Sequence, residues 1–194
     1  DPFKIWAAKC LDKGTKLAIA SHLGGVPPKF HLIAEYESNV CDYYFVTGEQ
    51  QIKYPQSIRI SQFWNGLKFR KYNRKGKILL VTTSGSKYTR DLASFLIGEQ
   101  ILDSFYDQLN FFDNLPDHIK KDIRVRLYNS KTSIFNQKTF WMNNCKNISF
   151  SNNLRFSNEV SNSRLVVCAY FGRTYIELLS ANIPTIIFWD TRYS

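Results

Sequence analysis

The segment SNSRLVVCAYFGRTYIELLSANIPTIIFWD, residues 161–190, limits the fold of this chain more than any other stretch of it. After one arginine, residues 164–170 are apolar or aromatic in succession, as in a strand covered on both faces, and residues 185–189 repeat that character over a shorter length. Between them, residues 173–181 place Tyr175, Ile176, Leu178 and Leu179 at helical spacing, and Pro184 stops the helix and returns the chain to the sheet. Two buried strands joined by a helix make a βαβ unit, and a crossover of that kind joins parallel strands.

The rest of the chain alternates in the same way. Residues 3–12 read as a helix stopped by Gly14, 15–21 as a short strand, 31–39 as a helix and 42–48 as a strand. Residues 48–76 show no clean period and read as a connection. A fuller series follows: strand 77–84, helix 92–109 with Thr89 placed to cap it, a short helix at 117–122, strands 124–129 and 147–151, and a small helix at 155–162. The connections are too long for hairpins, so the expected fold class is α/β, a parallel sheet with helices on both faces. Ligands of such sheets gather beyond the carboxyl ends of the strands, which directs attention to the loops after Ser21, Ser84, Asn129, Cys168 and Trp189.

Composition narrows the function classes. A chain of 194 residues that is 44% hydrophobic buries a sizeable core, and it contains no run of eighteen uncharged apolar residues. The opening DPFKIWAAKC lacks the basic, apolar, small-residue order of a signal peptide. It starts inside a helical pattern, and the last four residues follow a strand that needs a covering helix, so the chain reads as a fragment. Of the net charge of +10, the densest part is KFRKYNRKGK at residues 68–77, between elements, where a solvated basic linker explains it as well as a binding patch does; nucleic acid is not the expected partner. Cys10, Cys41, Cys145 and Cys168 form no CxxC pair and have no histidine at zinc-ligand spacing, which points to free thiols in a reducing compartment and to no metal site. No GxGxxG, Walker, GxSxG or DxD motif occurs.

The segment SRLVVCAYFGRTYIELLSANIPTIIFWD, with VRLYN and SHLGGVPPKFHLIAEYESNVCDYYFVTG upstream of it, resembles bacterial surface-carbohydrate transferases of the GT-B superfamily. These are similar to Kdo transferases and CDP-glycerol glycerophosphotransferases. The resemblance implies two Rossmann-like domains, with residues 1–75 the tail of an acceptor-side domain plus linker and residues 76–194 a donor-binding domain cut at its C-terminus. It implies a nucleotide-linked donor, a glycan or lipid-linked acceptor, no cofactor or metal, and a cytoplasmic location compatible with peripheral association at the inner face of the membrane. A fragment of this kind is expected to be inactive by itself. The Gln-His-Gly-Gly loop of the family stands here as Ser21, His22, Leu23, Gly24 and Gly25.

The candidate site residues follow from this frame. Glu177, four residues into a helix that starts beside Gly172, matches two ribose hydroxyls with its two carboxylate oxygens, or else is a surface acid stabilised by the helix dipole. Gly172, Arg173 and Thr174 lie where free amides hold phosphate, or else Thr174 is an ordinary cap and Arg173 a solvated side chain. Ser84, Gly85, Ser86 and Lys87 repeat that geometry after an earlier strand, or else form an ordinary Gly/Ser turn with a lysine. His22, with Gly24 and Gly25 in its loop, is the catalytic candidate, deprotonating an acceptor hydroxyl or stabilising leaving-group charge, or else is a turn residue, while His31 and His118 look like helix-face residues. Arg126 is an inward donor-site base or an edge charge, and Asp190 orients the donor or caps a following helix. The aromatic residues, scattered through predicted elements, serve the core. A chain with the same fold and no turnover, a nucleotide- or glycan-binding module, is the alternative.

Overall fold

The computed structural model describes residues 1–20, 31–47, 57–60, 67, 71, 73–85, 98–128, 136–152, 155–170 and 172–188, with backbone alone at 31–34, 47 and 173. The chain divides into two compact units, residues 1–64 and 65–194. Leu67 belongs to a core cluster of the second unit, so that unit begins ahead of the expected boundary at residue 76.

In the first unit, α1 (Pro2–Leu11) is capped by Asp1, whose side chain accepts from the Phe3 amide at 3.0 Å, with proline in the first turn where its missing N–H costs nothing. Gly14, at a φ of 83°, turns the chain out of the helix. Strands β1 (Ala18–Ala20), β2 (Tyr43–Thr47) and β3 (Ser57–Ile60) form a parallel sheet in the order β1-β2-β3, with α2 (His31–Val40) between the first two. Asp42 joins β1 to β2, accepting from the Leu17 amide and from Lys16 Nζ, each at 2.8 Å. Strand β3 lies inside the stretch read as a connection; its four residues alternate with a central arginine, too few to register as a period, and it is defined by pairing with β2.

The second unit carries β4 (Lys77–Val81), α3 (Glu99–Asp113), α4 (Asp117–Lys120), β5 (Ile123–Arg126), α5 (Gln137–Asn144), β6 (Ser149–Phe150), α6 (Phe156–Ser161), β7 (Ser163–Cys168), α7 (Arg173–Ser180) and β8 (Thr185–Ile187). Its sheet is parallel throughout, in the order β6-β5-β4-β7-β8. Numbered from β4, that is the 3-2-1-4-5 order of the Rossmann-like class. One face packs Ile78, Leu80, Ile123, Val125 and Val167 against α3 and α5; the other packs Leu79, Val81, Val166 and Cys168 against α6 and α7. Helix α5 has no apolar stripe and escapes a periodicity reading. It forms because Asn136 caps it by accepting from the Thr139 amide at 3.1 Å and because Trp141 is fully buried.

Helix α7 ends in a Schellman motif. Ile183 N–H donates to Leu178 O at 2.9 Å and Asn182 N–H to Leu179 O at 3.0 Å, with Asn182 in the left-handed region at φ 57°. Asn182 therefore stops the helix two residues before Pro184.

At the amino end of the sheet, the β4–β7 register shifts between Lys77 and Ile78, so that Arg164 is an extra residue on β7. The bulge aims Arg164 at Asp122, at 2.7 Å, and at the Gly76 carbonyl at 3.1 Å, while Lys77 Nζ reaches the other Asp122 oxygen at 2.6 Å. Gly76 passes so close to β7 that a Cβ there would lie 2.6 Å from the Arg164 nitrogen and 2.8 Å from Asn162 O. Gly76→Ala is therefore expected to destabilise the fold by about 1–3 kcal/mol in denaturant titration, as backbone cannot yield to an overpacked methyl. Hydrogen bonds from Lys77 and then Arg164 lower the Asp122 carboxyl to about 2 from its ordinary 3.8. Because the folded-state value is depressed, its contribution is complete above about pH 4 and lost as pH falls towards 2. Stability–pH curves of wild type and Asp122→Asn should converge across that window; parallel curves would refute the assignment.

Candidate functional site

Four strands of the second sheet end level with one another. Val81 stands opposite both Arg126 and Cys168, and Cys168 opposite Ile187. The ladder continues past the strands through Thr82 N–H to Arg126 O at 3.1 Å, Ala169 N–H to Val81 O at 3.2 Å and Phe188 N–H to Cys168 O at 3.1 Å. Strand order reverses between β4 and β7, and at such a switch point the following loops part and leave a crevice at the carboxyl edge. Ser84 and Gly85 leave β4 there, and Tyr170 and Gly172 leave β7 there.

The start of α7 is built around Tyr170. Gly172 is its N-cap, in extended backbone, and as a glycine has no side chain of its own to cap the helix. A Cβ on Gly172 would sit 2.6 and 2.9 Å from two carbons of the Tyr170 ring, so the glycine lets that ring lie against the backbone. The Tyr170 hydroxyl shares a hydrogen bond of 2.5 Å with the Thr174 hydroxyl. Thr174 is therefore not the cap of α7; it holds the tyrosine. Burial, above all, pushes the Tyr170 phenol up from its ordinary value, the bond to Thr174 opposes this, and Cys168, Tyr128 and Glu177 add to the rise. Glu177 is half-buried, one turn beyond Thr174, and close enough for its charge to act on Tyr170.

The loop after β4 is well packed: Thr82, Thr83 and Gly85 are buried, and the half-buried Ser84 donates to Gly85 O at 3.3 Å. A residue that the sequence reading missed secures this edge. Gln137, buried at the start of α5, has its Oε1 2.9 Å from the Thr82 hydroxyl, which also lies 3.1 Å from Arg126 O, and its Nε2 donates to Tyr128 O at 3.3 Å. One amide thus ties the ends of β4 and β5. The only sequence signal for it is its place directly after the Asn136 cap.

Arg126 is half-buried in an interior strand, with its guanidinium 5.5 Å over the Phe156 ring of α6, so it is not an edge charge. Cys168 ends β7 with no exposure, and burial pushes its thiol up to about 12, which suits a core residue and not a nucleophile. All four cysteines are free. His22, Gly24, Gly25, Ser86, Lys87, Asp190 and the Arg173 side chain lie outside the described residues. The structure thus gathers Ser84, Gly85, Gly172, Thr174 and Glu177 around the β4–β7 switch point and sets Arg126 on the α6 side of β5.

A parallel sheet in this order, with its strands ending level at the switch point, places the second unit in the Rossmann-like α/β class. The chain belongs to the LIC12162 family of transferases, whose model matches residues 1–194. No curated protein matches it. Among solved structures it is similar to the crystal structure of accessory secretory protein 1,2 and 3 in Streptococcus pneumoniae, at 16% identity and a TM-score of 0.48, over 98% of this chain and 44% of that one. The chain thus spans less than half the length of that neighbour. Among the described residues no helix is long and apolar enough to cross a membrane.

The close approach of Tyr170 to Gly172 makes a specific demand. Gly172→Ala should cost about 1–3 kcal/mol in the wild-type background and close to nothing when Tyr170 is already alanine. A double-mutant cycle by chemical denaturation checks this, and equal costs in both backgrounds would show that the ring is not what requires glycine.

Proposed function

We propose that this chain is the donor-binding part of a GT-B-type transferase that moves a sugar or polyol phosphate from a nucleotide-activated donor to a hydroxyl of a cell-envelope glycan. Membership in a transferase family supplies the reaction class. The observation that carries the donor assignment is the α7 start at the switch point, with glycine at its N-cap and Glu177 one turn inside it.

The chemistry follows from those groups. Backbone amides at a helix start carry partial positive charge and suit the oxygens of a diphosphate, and they need no reorganisation as negative charge grows on the leaving nucleotide. Glu177 accepts from the two ribose hydroxyls. Ser84 and Gly85, across the crevice from Gly172, border the phosphate region, and Arg126 adds positive charge behind β5. As the acceptor oxygen bonds to the transferred group, the bond to the nucleotide phosphate breaks with its electron pair leaving on the nucleotide, and the acceptor proton passes to His22. In this reading the 194-residue chain binds donor, and transfer requires acceptor-side residues in addition.

Thermal-shift titration with CMP-, CDP-, UDP- and GDP-linked sugars and polyols tests the assignment, as a ligand of the folded state raises the midpoint by mass action. One nucleotide class should stabilise the chain, and its ribonucleotide should bind about ten-fold or more better than the 2′-deoxy analogue. Glu177→Gln should remove that preference while phosphate-dependent binding remains. No stabilisation by any nucleotide, or an unchanged ribose preference in the variant, would overturn the donor site.

A further inference from the structure

Strand β5 alternates Ile123 and Val125, buried in the cluster with α3 and α5, with Arg124 and Arg126 on the opposite face. Past the strand the alternation continues. Leu127 packs against the α3 and α5 cluster, which leaves Tyr128 to the side of α6 and α7, where Arg126 has its guanidinium over Phe156. Tyr170 packs on that same side, against the cluster that holds Leu178 of α7. Strand β4 lies between β5 and β7, so Tyr128 and Tyr170 stand on either side of its carboxyl end. Tyr128 is close enough for its charge to act on the Tyr170 phenol, as that of Glu177 does, so Tyr128 and Glu177 both border Tyr170.

The two tyrosines are used differently. Tyr170 is half-buried, bonded to Thr174 and laid against Gly172. Tyr128 is 53% exposed. Among the described residues of the second unit the other exposed aromatic ring is Tyr106, which meets Phe140 edge-on with centroids 5.8 Å apart. A single exposed tyrosine is ordinary on a protein surface, but this one stands on a backbone that a buried amide holds. The Tyr128 carbonyl accepts from Gln137 Nε2 at 3.3 Å, and the Gln137 Oε1 is 2.9 Å from the Thr82 hydroxyl. A ring presented from a fixed backbone loses little freedom when something settles on it. In the donor reading the α7 start meets the phosphates and Glu177 the ribose, and the remaining part of a nucleotide, its base, is a flat ring with π-faces that aromatic side chains stack on.

We propose that Tyr128 is the platform on which the base of the nucleotide donor stacks. The proposal rests on the donor reading given above and adds to it the residue that holds the base. Stacking accepts any base, so Tyr128 supplies affinity and the choice among bases falls to other contacts.

The test is a titration of the 194-residue chain with CMP, CDP, UDP and GDP, and with ribose 5-phosphate as the base-free probe, followed by NMR. Tyr128→Ala should weaken the best-bound nucleotide about ten-fold or more, leave ribose 5-phosphate binding unchanged, and keep the preference for ribose over 2′-deoxyribose that belongs to Glu177. Tyr128→Phe should bind as the wild type does, because the ring and not the hydroxyl makes the platform. Both variants should keep the unfolding midpoint of the free chain, as the residue is exposed. In the wild-type complex, nuclear Overhauser contacts should join the Tyr128 ring protons to protons of the base. Nucleotide affinity unchanged in Tyr128→Ala, an equal loss for ribose 5-phosphate, an equal loss in Tyr128→Phe, or base contacts to other residues alone would each overturn the platform and leave the phosphate and ribose site standing. If no nucleotide binds the wild-type chain, the donor reading falls and the platform falls with it.

Discussion

The second unit depends on the contact at the amino end of its central strands. Gly76 lies against the backbone of residues 162–164 at a distance no side chain tolerates, and Arg164 bulges out of β7 to join Lys77 on Asp122. A parallel ladder has no hairpin turn to fix its register, and slipping one strand by a residue turns its inward side chains to the other face. Asp122 directly precedes β5, Lys77 opens β4 and Arg164 sits in β7, so one carboxylate sets three strands against one another. Because β4, β5 and β7 are locked at their start, they finish together at Val81, Arg126 and Cys168.

That level finish is what makes the carboxyl edge a site. Strands ending at different heights would spread their loops along the sheet, whereas here Ser84–Gly85 and Tyr170–Gly172 emerge side by side where strand order reverses. The fine placement then depends on polar contacts that burial makes expensive to lose. Gln137 holds the β4 and β5 ends together, and Tyr170, clasped by Thr174 and seated on Gly172, fixes the entry into α7. A phenol whose ionisation is disfavoured by burial remains a neutral partner to Thr174 over the physiological range.

The architecture was legible where burial is two-sided. Strands such as KILLV and SRLVVC are nearly continuous apolar runs because helices lie on both faces, and β7, α7 and β8 appear within a few residues of their expected positions. Legibility failed where structure comes from pairing or from one buried ring. Strand β3 exists by virtue of β2, and α5 by virtue of a cap and Trp141, neither of which leaves a period in the sequence. The candidate site divides in the same manner. Gly172 and Glu177 stood out from their position after a buried strand, but the reason for the glycine is the Tyr170 ring, an aromatic that reads from sequence as core filler. Gln137 gave no sign of itself, since a glutamine becomes a tie between strand ends only when the fold brings Thr82 and Tyr128 to it from both sides.

The sequence IRVR of β5 carries one further lesson about parallel sheets. Its alternation, Ile123 and Val125 buried and Arg124 and Arg126 not, is the pattern of a strand with one wet face, in a fold whose interior strands are ordinarily apolar on both. Arg126 resolves the conflict by laying its guanidinium over Phe156, so its charge is screened by an aromatic face. Arg124, two residues back and opposite Ser149, has no such cover and stands exposed. Helix α6 is six residues long; its Val160 is buried in the cluster with Leu79 and Val166, and its Phe156 lies under the Arg126 guanidinium. A short α6 and a polar β5 face are therefore two halves of one arrangement: the helix is short where the sheet beside it turns hydrophilic.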